Sequence, residues 1–236
     1  MTWAYLRRGL AAGLLAGLLA GLFAYLFAEP TLDRAIELES AAHAEEHGEA
    51  VFDRGEQKAG LILATALYGT SVGALFGLLS AFFRRRSRTR SEWRWSLTLA
   101  GAVFLGAVLL PFLKYPPNPP GVGVDPSTLT ERTLAYLAMA VLGLLAVLAA
   151  WRFARAAPLE GVSRPARYLT SGAVLLGLWA FLYLAMPEFG PAHGHAPAGL
   201  VREFRLSSLG TQVVLWAGIG CVFGLLGERA SRRGAL

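Results

Sequence analysis

The residues best suited to chemistry stand in "AAHAEEHGEA", residues 41–50, where His43 and His47 are four apart among carboxylates. On a helix, side chains three or four apart are neighbours. Glu39, His43 and His47 would then share one face, with Glu46 three residues after His43. Two imidazoles and a carboxylate oxygen suit cobalt, nickel, copper or zinc better than magnesium or calcium. The same residues also make an ordinary solvated acidic helix, and spacing alone leaves both readings open. A second pair, His193 and His195, lies in "PEFGPAHGHAPAG" (187–199), a Gly- and Pro-rich loop able to hold a metal loosely.

The elements that must position these groups are apolar. Hydrophobic residues make up 55% of the chain, and the mean hydropathy is +0.47. They fall in six blocks, 9–28, 61–83, 96–113, 133–153, 168–186 and 208–227. Each is close to the ~20 residues that cross ~30 Å of hydrocarbon. None carries an ionisable residue in its central portion, as a lipid-embedded helix requires. The expected fold is all-α: a polytopic membrane bundle of six transmembrane helices, one integral domain over 1–236. The first block follows Arg7 and Arg8 as a signal peptide would, but its length exceeds the ~7–15 residues of a signal h-region. It reads as an uncleaved span. Cys221 is the single cysteine, so no intrachain disulfide forms.

Charge alternates between the connections. The N-terminus, residues 84–95, 152–167 and the C-terminus hold 15 of the 22 basic residues, and the other loops hold 13 of the 16 acidic ones. The positive-inside rule then puts both termini in the cytoplasm. All four histidines fall on the outer side with most of the carboxylates. "RRRSRTR" (84–90) reads as a stop-transfer anchor that favours anionic lipid headgroups, with no nucleic-acid partner needed. Residues 30–47 read as an outer acidic helix.

Glycine recurs every fourth residue at Gly9, Gly13, Gly17 and Gly21, again at Gly69, Gly73 and Gly77, and at Gly220 and Gly224. Such spacing bares one helix face for close backbone approach, so the first, second and sixth spans are expected to pack tightly. A weak echo links "GALFGLL" (73–79) with "GCVFGLL" (220–226). The third span ends in "LLPFLKYPPNPPGVGVDP" (109–126), whose prolines stop the helix and stiffen a surface loop. A phosphate loop and H-E-x-x-H are absent, and the G-x-S-x-G string at 69–73, GTSVG, falls inside an apolar span rather than at a strand-to-helix elbow, which argues against an ATPase, an enzyme or a tightly bound cofactor.

In "GLLAGLLAGLFAYLFAEPTLDRAIELE" (13–39), "FLKYPPNPP" (112–120) and "FRLSSLGTQVVLWAGIGCVFGLLGER" (204–229) the chain resembles the CbtA family of cobalt transporter subunits. The resemblance runs over nearly the whole chain. It implies cobalt uptake across the cytoplasmic (inner) membrane and a small single-span partner, CbtB, with a histidine-rich tail. It highlights Glu29, Pro30, Asp33, Glu39 and His43, then Lys114, Tyr115, Pro116, Asn118, Pro119 and Pro120, with Pro117 standing where the pattern has a smaller residue, then Arg205, Gly210, Thr211 and Gln212. The His193/His195 loop has no counterpart in that pattern. The expected metal residues are Glu39, His43, His47, His193 and His195. The expected entrance is Glu29, Asp33, Lys114, Asn118 and Gln212, with Lys114 paired to Asp33 or Glu29. Cobalt or a similar divalent cation is then cargo. A non-transporting scaffold, a carrier of an organic solute and a homo-oligomer are the alternatives composition leaves open.

Overall fold

The computed structural model describes residues 2–42, 53–84, 86, 91–120, 122–123, 126–155, 161, 163–190, 193–194 and 196–233. Its helices are α1 (Thr2–Phe27), α2 (Glu29–Ala42), α3 (Arg54–Arg84), α4 (Glu92–Val103), α5 (Leu110–Lys114), α6 (Leu129–Phe153), α7 (Arg164–Ala185) and α8 (Ala198–Arg233). A π-helical stretch, Phe104–Leu109, joins α4 to α5, so that Glu92–Lys114 is continuous. Among the described residues, six helical segments are long and apolar enough to cross a membrane. The protein is a multi-pass membrane protein.

The backbone forms two compact units. The first holds residues 1–101, 117–123 and 194–236, and the second holds 102–116 and 124–193.

The first unit is built on small residues. Every buried residue of α1 is Gly or Ala, from Gly9 to Ala24. Leu14, Leu15, Leu18, Leu19 and Leu22 of the same helix point outward. A soluble helix buries its large apolar groups. A membrane helix gains nothing from hiding leucine from lipid and packs instead where backbones can approach. α1 runs antiparallel to α3, with Gly9 facing Gly73 and Gly77, Gly13 facing Gly69 and Gly73, and Gly17 facing Ala66 and Gly69. A Cβ added at Gly69 would lie 2.5 Å from the Gly13 carbonyl oxygen. Only hydrogen fits there.

Gly210 and Gly218 of α8 meet Phe23 and Ala16 of α1, whereas Gly220, Gly224 and Gly227 meet Ala100, Ser96 and Glu92 of α4. α1 therefore packs closely on both α3 and α8, as the glycine spacing led one to expect, and α8 packs also on α4. Polar groups fix α4 in place. The Ser96 hydroxyl reaches the Gly220 carbonyl at 2.7 Å, and Trp95 Nε1 donates to Ser80 Oγ of α3 at 2.9 Å in a buried setting. Ser80→Ala is expected to lower thermal stability by about 1–2 kcal/mol, because the Trp95 N–H would be left unpaired. Ser80→Ala combined with Trp95→Phe should recover part of that loss.

In the second unit Gly106 meets the backbone of Gly143. Leu110, Met139, Ala146 and Leu182 form its core, flanked by Tyr115, Trp179 and Met186. The Leu110 N–H bonds back five residues to Leu105. That wider turn accommodates Pro111, whose ring would crowd an α-helical carbonyl four residues back. Ser163 caps α7, its hydroxyl accepting the Ala166 N–H at 3.5 Å. Of the six spans, α7 is the least buried.

Candidate functional site

α2 carries Glu29, Asp33, Glu37 and Glu39, and the first two meet basic residues of α3. Glu29 and Asp33 are one turn apart on α2, and Arg54 and Lys58 are one turn apart on α3. Arg54 Nη2 donates to Glu29 Oε2 at 2.8 Å and also to Asp33 Oδ1. Arg54 Nε reaches the same Asp33 oxygen at 3.1 Å, and Lys58 Nζ donates to Asp33 Oδ2 at 2.8 Å. Hydrogen bonds from Lys58 and Arg54 hold the Asp33 carboxyl below its usual range. Two anions and two cations cancel, and Glu29 is only 5% exposed. The quartet clamps α2 onto α3. Sequence reasoning put Glu29 and Asp33 at an entrance and passed over Arg54 and Lys58, although the matched four-residue spacings of opposite charge were visible.

The other expected residues are distributed over both units. In the first, Arg205 of α8 spans the stiff loop: Nη2 donates to Asn118 Oδ1 at 2.8 Å and Nε to the Pro117 carbonyl at 3.2 Å. Gln212 follows Arg205 by seven residues, two helical turns on the same face. Its Oε1 is buried without a hydrogen-bond partner. In the second unit, Lys114 is paired not with Glu29 or Asp33 but with Glu188, at 3.3 Å, and its ammonium lies 4.7 Å from the Tyr183 ring centre. Tyr115 next to it donates to the Pro187 carbonyl at 2.8 Å. Arg132 donates to the Gly190 carbonyl at 3.0 Å and stacks on Phe189. Lys114, Tyr115 and Arg132 thus bind down the 187–190 segment.

The residues expected to hold metal lie only partly among the described ones. His43, His47 and His195 lie outside the described residues. His193 belongs to a two-residue extended piece, His193–Gly194, and Glu39 lies in α2. Among the described residues, no three His, Cys, Asp or Glu side chains converge to hold a metal.

At the opposite, arginine-rich end of the first unit sits a group the sequence blocks missed. Glu92, read as lying ahead of the third span, is nine-tenths buried. Its Oε1 accepts from Arg84 Nε at 2.9 Å and from the Tyr5 hydroxyl at 3.5 Å. Its stem fills the notch at Gly227. Glu228 of α8 accepts from the Ser91 hydroxyl and the Trp93 N–H, at 2.9 and 3.2 Å. This knot joins α1, α3, α4 and α8.

Six apolar spans, the α2 clamp and the pinned proline loop coincide with a match to a family model. The model, described as "Probable cobalt transporter subunit (CbtA)", covers residues 2–228. The chain belongs to the CbtA family. No curated protein and no solved structure matches it. As a CbtA protein it is a transporter-family subunit of a membrane, the role its six spans suit. The proline loop, the most specific part of the resemblance, is tied to the start of the last span by Arg205.

Proposed function

We propose that this CbtA chain is a permease subunit of the cytoplasmic membrane that takes up cobalt or a similar divalent transition-metal cation, with no enzymatic activity of its own. The match over residues 2–228 carries the reading. The alternation of basic and acidic connections supports an orientation with both termini in the cytoplasm and α2 outside. The acidic outer surface concentrates cations. Glu39, His43 and His47 act as the capture ligands, and His193 and His195 form a second, looser capture point. The α2 clamp changes the parts given to Glu29 and Asp33. Both are occupied by Arg54 and Lys58, so they anchor the capture segment to the bundle rather than ligate the ion. Asn118 and Gln212 stand at the entrance, and Lys114, in the second unit, holds the 187–190 segment through Glu188.

The word "subunit" in the family description supports a partner chain, here a small single-span, histidine-rich CbtB-like protein. The second reading, a scaffold that recruits such a partner without transporting, draws on the closely packed glycine helices of the first unit and on the absence of charge at the centre of the spans. Radioactive cobalt uptake in cells lacking their own importer separates the two. Uptake should fall several-fold in His43→Ala/His47→Ala at low cobalt and recover at high cobalt. Uptake indifferent to the double substitution would leave "AAHAEEHGEA" as a solvated segment.

A further inference from the structure

Arg205, Gln212, Trp216, Ile219 and Phe223 follow one another on α8 at intervals of seven, four, three and four residues. Those intervals place them on a single helix face. Burial shows that it is the inward face of the first unit: Trp216 is 7% exposed, and Ile219 and Phe223 are fully enclosed. Two polar atoms on this face have no hydrogen-bond partner among the described residues, the Gln212 Oε1 and the Trp216 Nε1. The same unit satisfies Trp95 through Ser80 and bonds the hydroxyls of Thr65, Thr70, Ser207, Ser208 and Thr211 to carbonyls of their own helices. Leaving a buried polar atom unpaired is costly. Glu92 Oε2 of the same unit is also unpaired, but its carboxylate is engaged through Oε1 by Arg84 and Tyr5, whereas Gln212 and Trp216 place an acceptor and a donor one turn apart. Beyond them the face closes, where Phe223 meets Phe76 of α3 edge to face, with ring centres 5.1 Å apart.

We propose that Gln212 and Trp216 form a polar step for a hydrated divalent cation on the inward face of α8, and that Phe76 and Phe223 shut the path below it. The proposal rests on the transport reading and adds to it the form of the ion and the position of the barrier. A divalent cation stripped of water needs several oxygen ligands, and this face offers one amide oxygen and no carboxylate. The ion therefore keeps its water shell. A bound water donates to Gln212 Oε1, and the Trp216 N–H donates to the oxygen of a further water. Arg205, engaged with Asn118 and Pro117, holds the loop at the head of the path.

The test reads accessibility rather than uptake, so it stands or falls separately from cobalt transport. The full-length protein carrying Cys221→Ser is placed in lipid nanodiscs, where both faces are open. Single substitutions Gln212→Cys, Trp216→Cys, Val213→Cys, Ile219→Cys and Phe223→Cys are exposed to a charged maleimide. Q212C and W216C should react at least several-fold faster than V213C, which lies on the exposed side of α8, and than I219C and F223C. Hexaamminecobalt(III), an inert cation that keeps its shell and cannot bind a thiol, should slow the reaction of Q212C. Q212C as unreactive as V213C in a folded, monodisperse protein would overturn the step, and Q212C decides alone if W216C does not fold. Fast labelling of F223C would overturn the barrier. Labelling of Q212C that hexaamminecobalt(III) leaves unchanged would overturn the hydrated cation as its occupant.

Discussion

Gly73→Leu is expected to abolish the folded protein, whereas Gly101→Ala and Gly172→Ala leave it intact. A Cβ at Gly73 would meet the carbonyl oxygen of Gly9 and lie 2.6 Å from the Gly13 Cα. Both obstacles are backbone, so no rotamer change relieves them. α1 and α3 would have to separate along a contact that runs from Gly9 to Gly21. Overpacking a well-packed site typically costs about 1–3 kcal/mol. Here a whole helix interface must move, and the loss should exceed that range. At Gly101 and Gly172 a Cβ would meet nothing within 4 Å. Alanine there removes backbone freedom and should be neutral or stabilising by up to about 1 kcal/mol. Size-exclusion profiles and thermal melts in detergent check the contrast. A monodisperse Gly73→Leu protein with an unchanged melt would contradict the glycine contact between α1 and α3.

Arg54→Ala is expected to free α2 from α3. Its guanidinium touches both Glu29 and Asp33, and its removal leaves the buried Glu29 with only Lys58, 4.0 Å away. Breaking a buried pair by removing one partner costs about 3–5 kcal/mol. Because the Arg54 and Asp33 side chains are each 35% exposed, solvent screening lowers the expected loss to about 1–3 kcal/mol. The pH dependence follows from Asp33, whose carboxyl is held down by Lys58 and Arg54. A depressed folded value stabilises the fold above the ordinary carboxylate range, and that contribution fades as pH falls through the folded value. The wild-type clamp should therefore persist at mildly acidic pH and fail only in strong acid. Arg54→Ala should weaken at higher pH than the wild type. Arg54→Ala with Glu29→Gln and Asp33→Asn, which leaves no unpaired buried anion, should recover part of the loss. Hydrogen exchange of α2 as a function of pH measures each of these shifts.

The spans were legible because hydropathy reads the middle of a membrane helix directly. Their ends were not. α3 begins at Arg54 rather than 61 and α8 at Ala198 rather than 208, because the backbone ladder continues through polar residues that end an apolar block. The same effect hid Glu92, which the block 96–113 excluded and which the fold buries at the start of α4. Glycine spacing gave the packing of the first span on the second and the sixth but not the α4 partner of Gly220 and Gly224, since a groove on α8 fits Ala16 and Ala100 equally well by composition. The echo of 73–79 in 220–226 carried more than it showed, for its two phenylalanines, Phe76 and Phe223, pack on one another. For the proposed entrance, the resemblance pointed to Asn118 and Gln212 but gave nothing of their settings. The engagement of Asn118 by Arg205 and the pairing of Lys114 with Glu188 each join residues more than seventy positions apart. No local pattern encodes such contacts.

Cobalt influx into sealed proteoliposomes tests the permease proposal most directly. The purified chain is reconstituted alone and with the proposed small histidine-rich partner, around a trapped dye that cobalt quenches. Quenching that depends on the chain, saturates with external cobalt and exceeds that of vesicles holding the partner alone is the expected result. Vesicles that stay tight to cobalt with both chains present and folded would contradict it and leave the protein a scaffold.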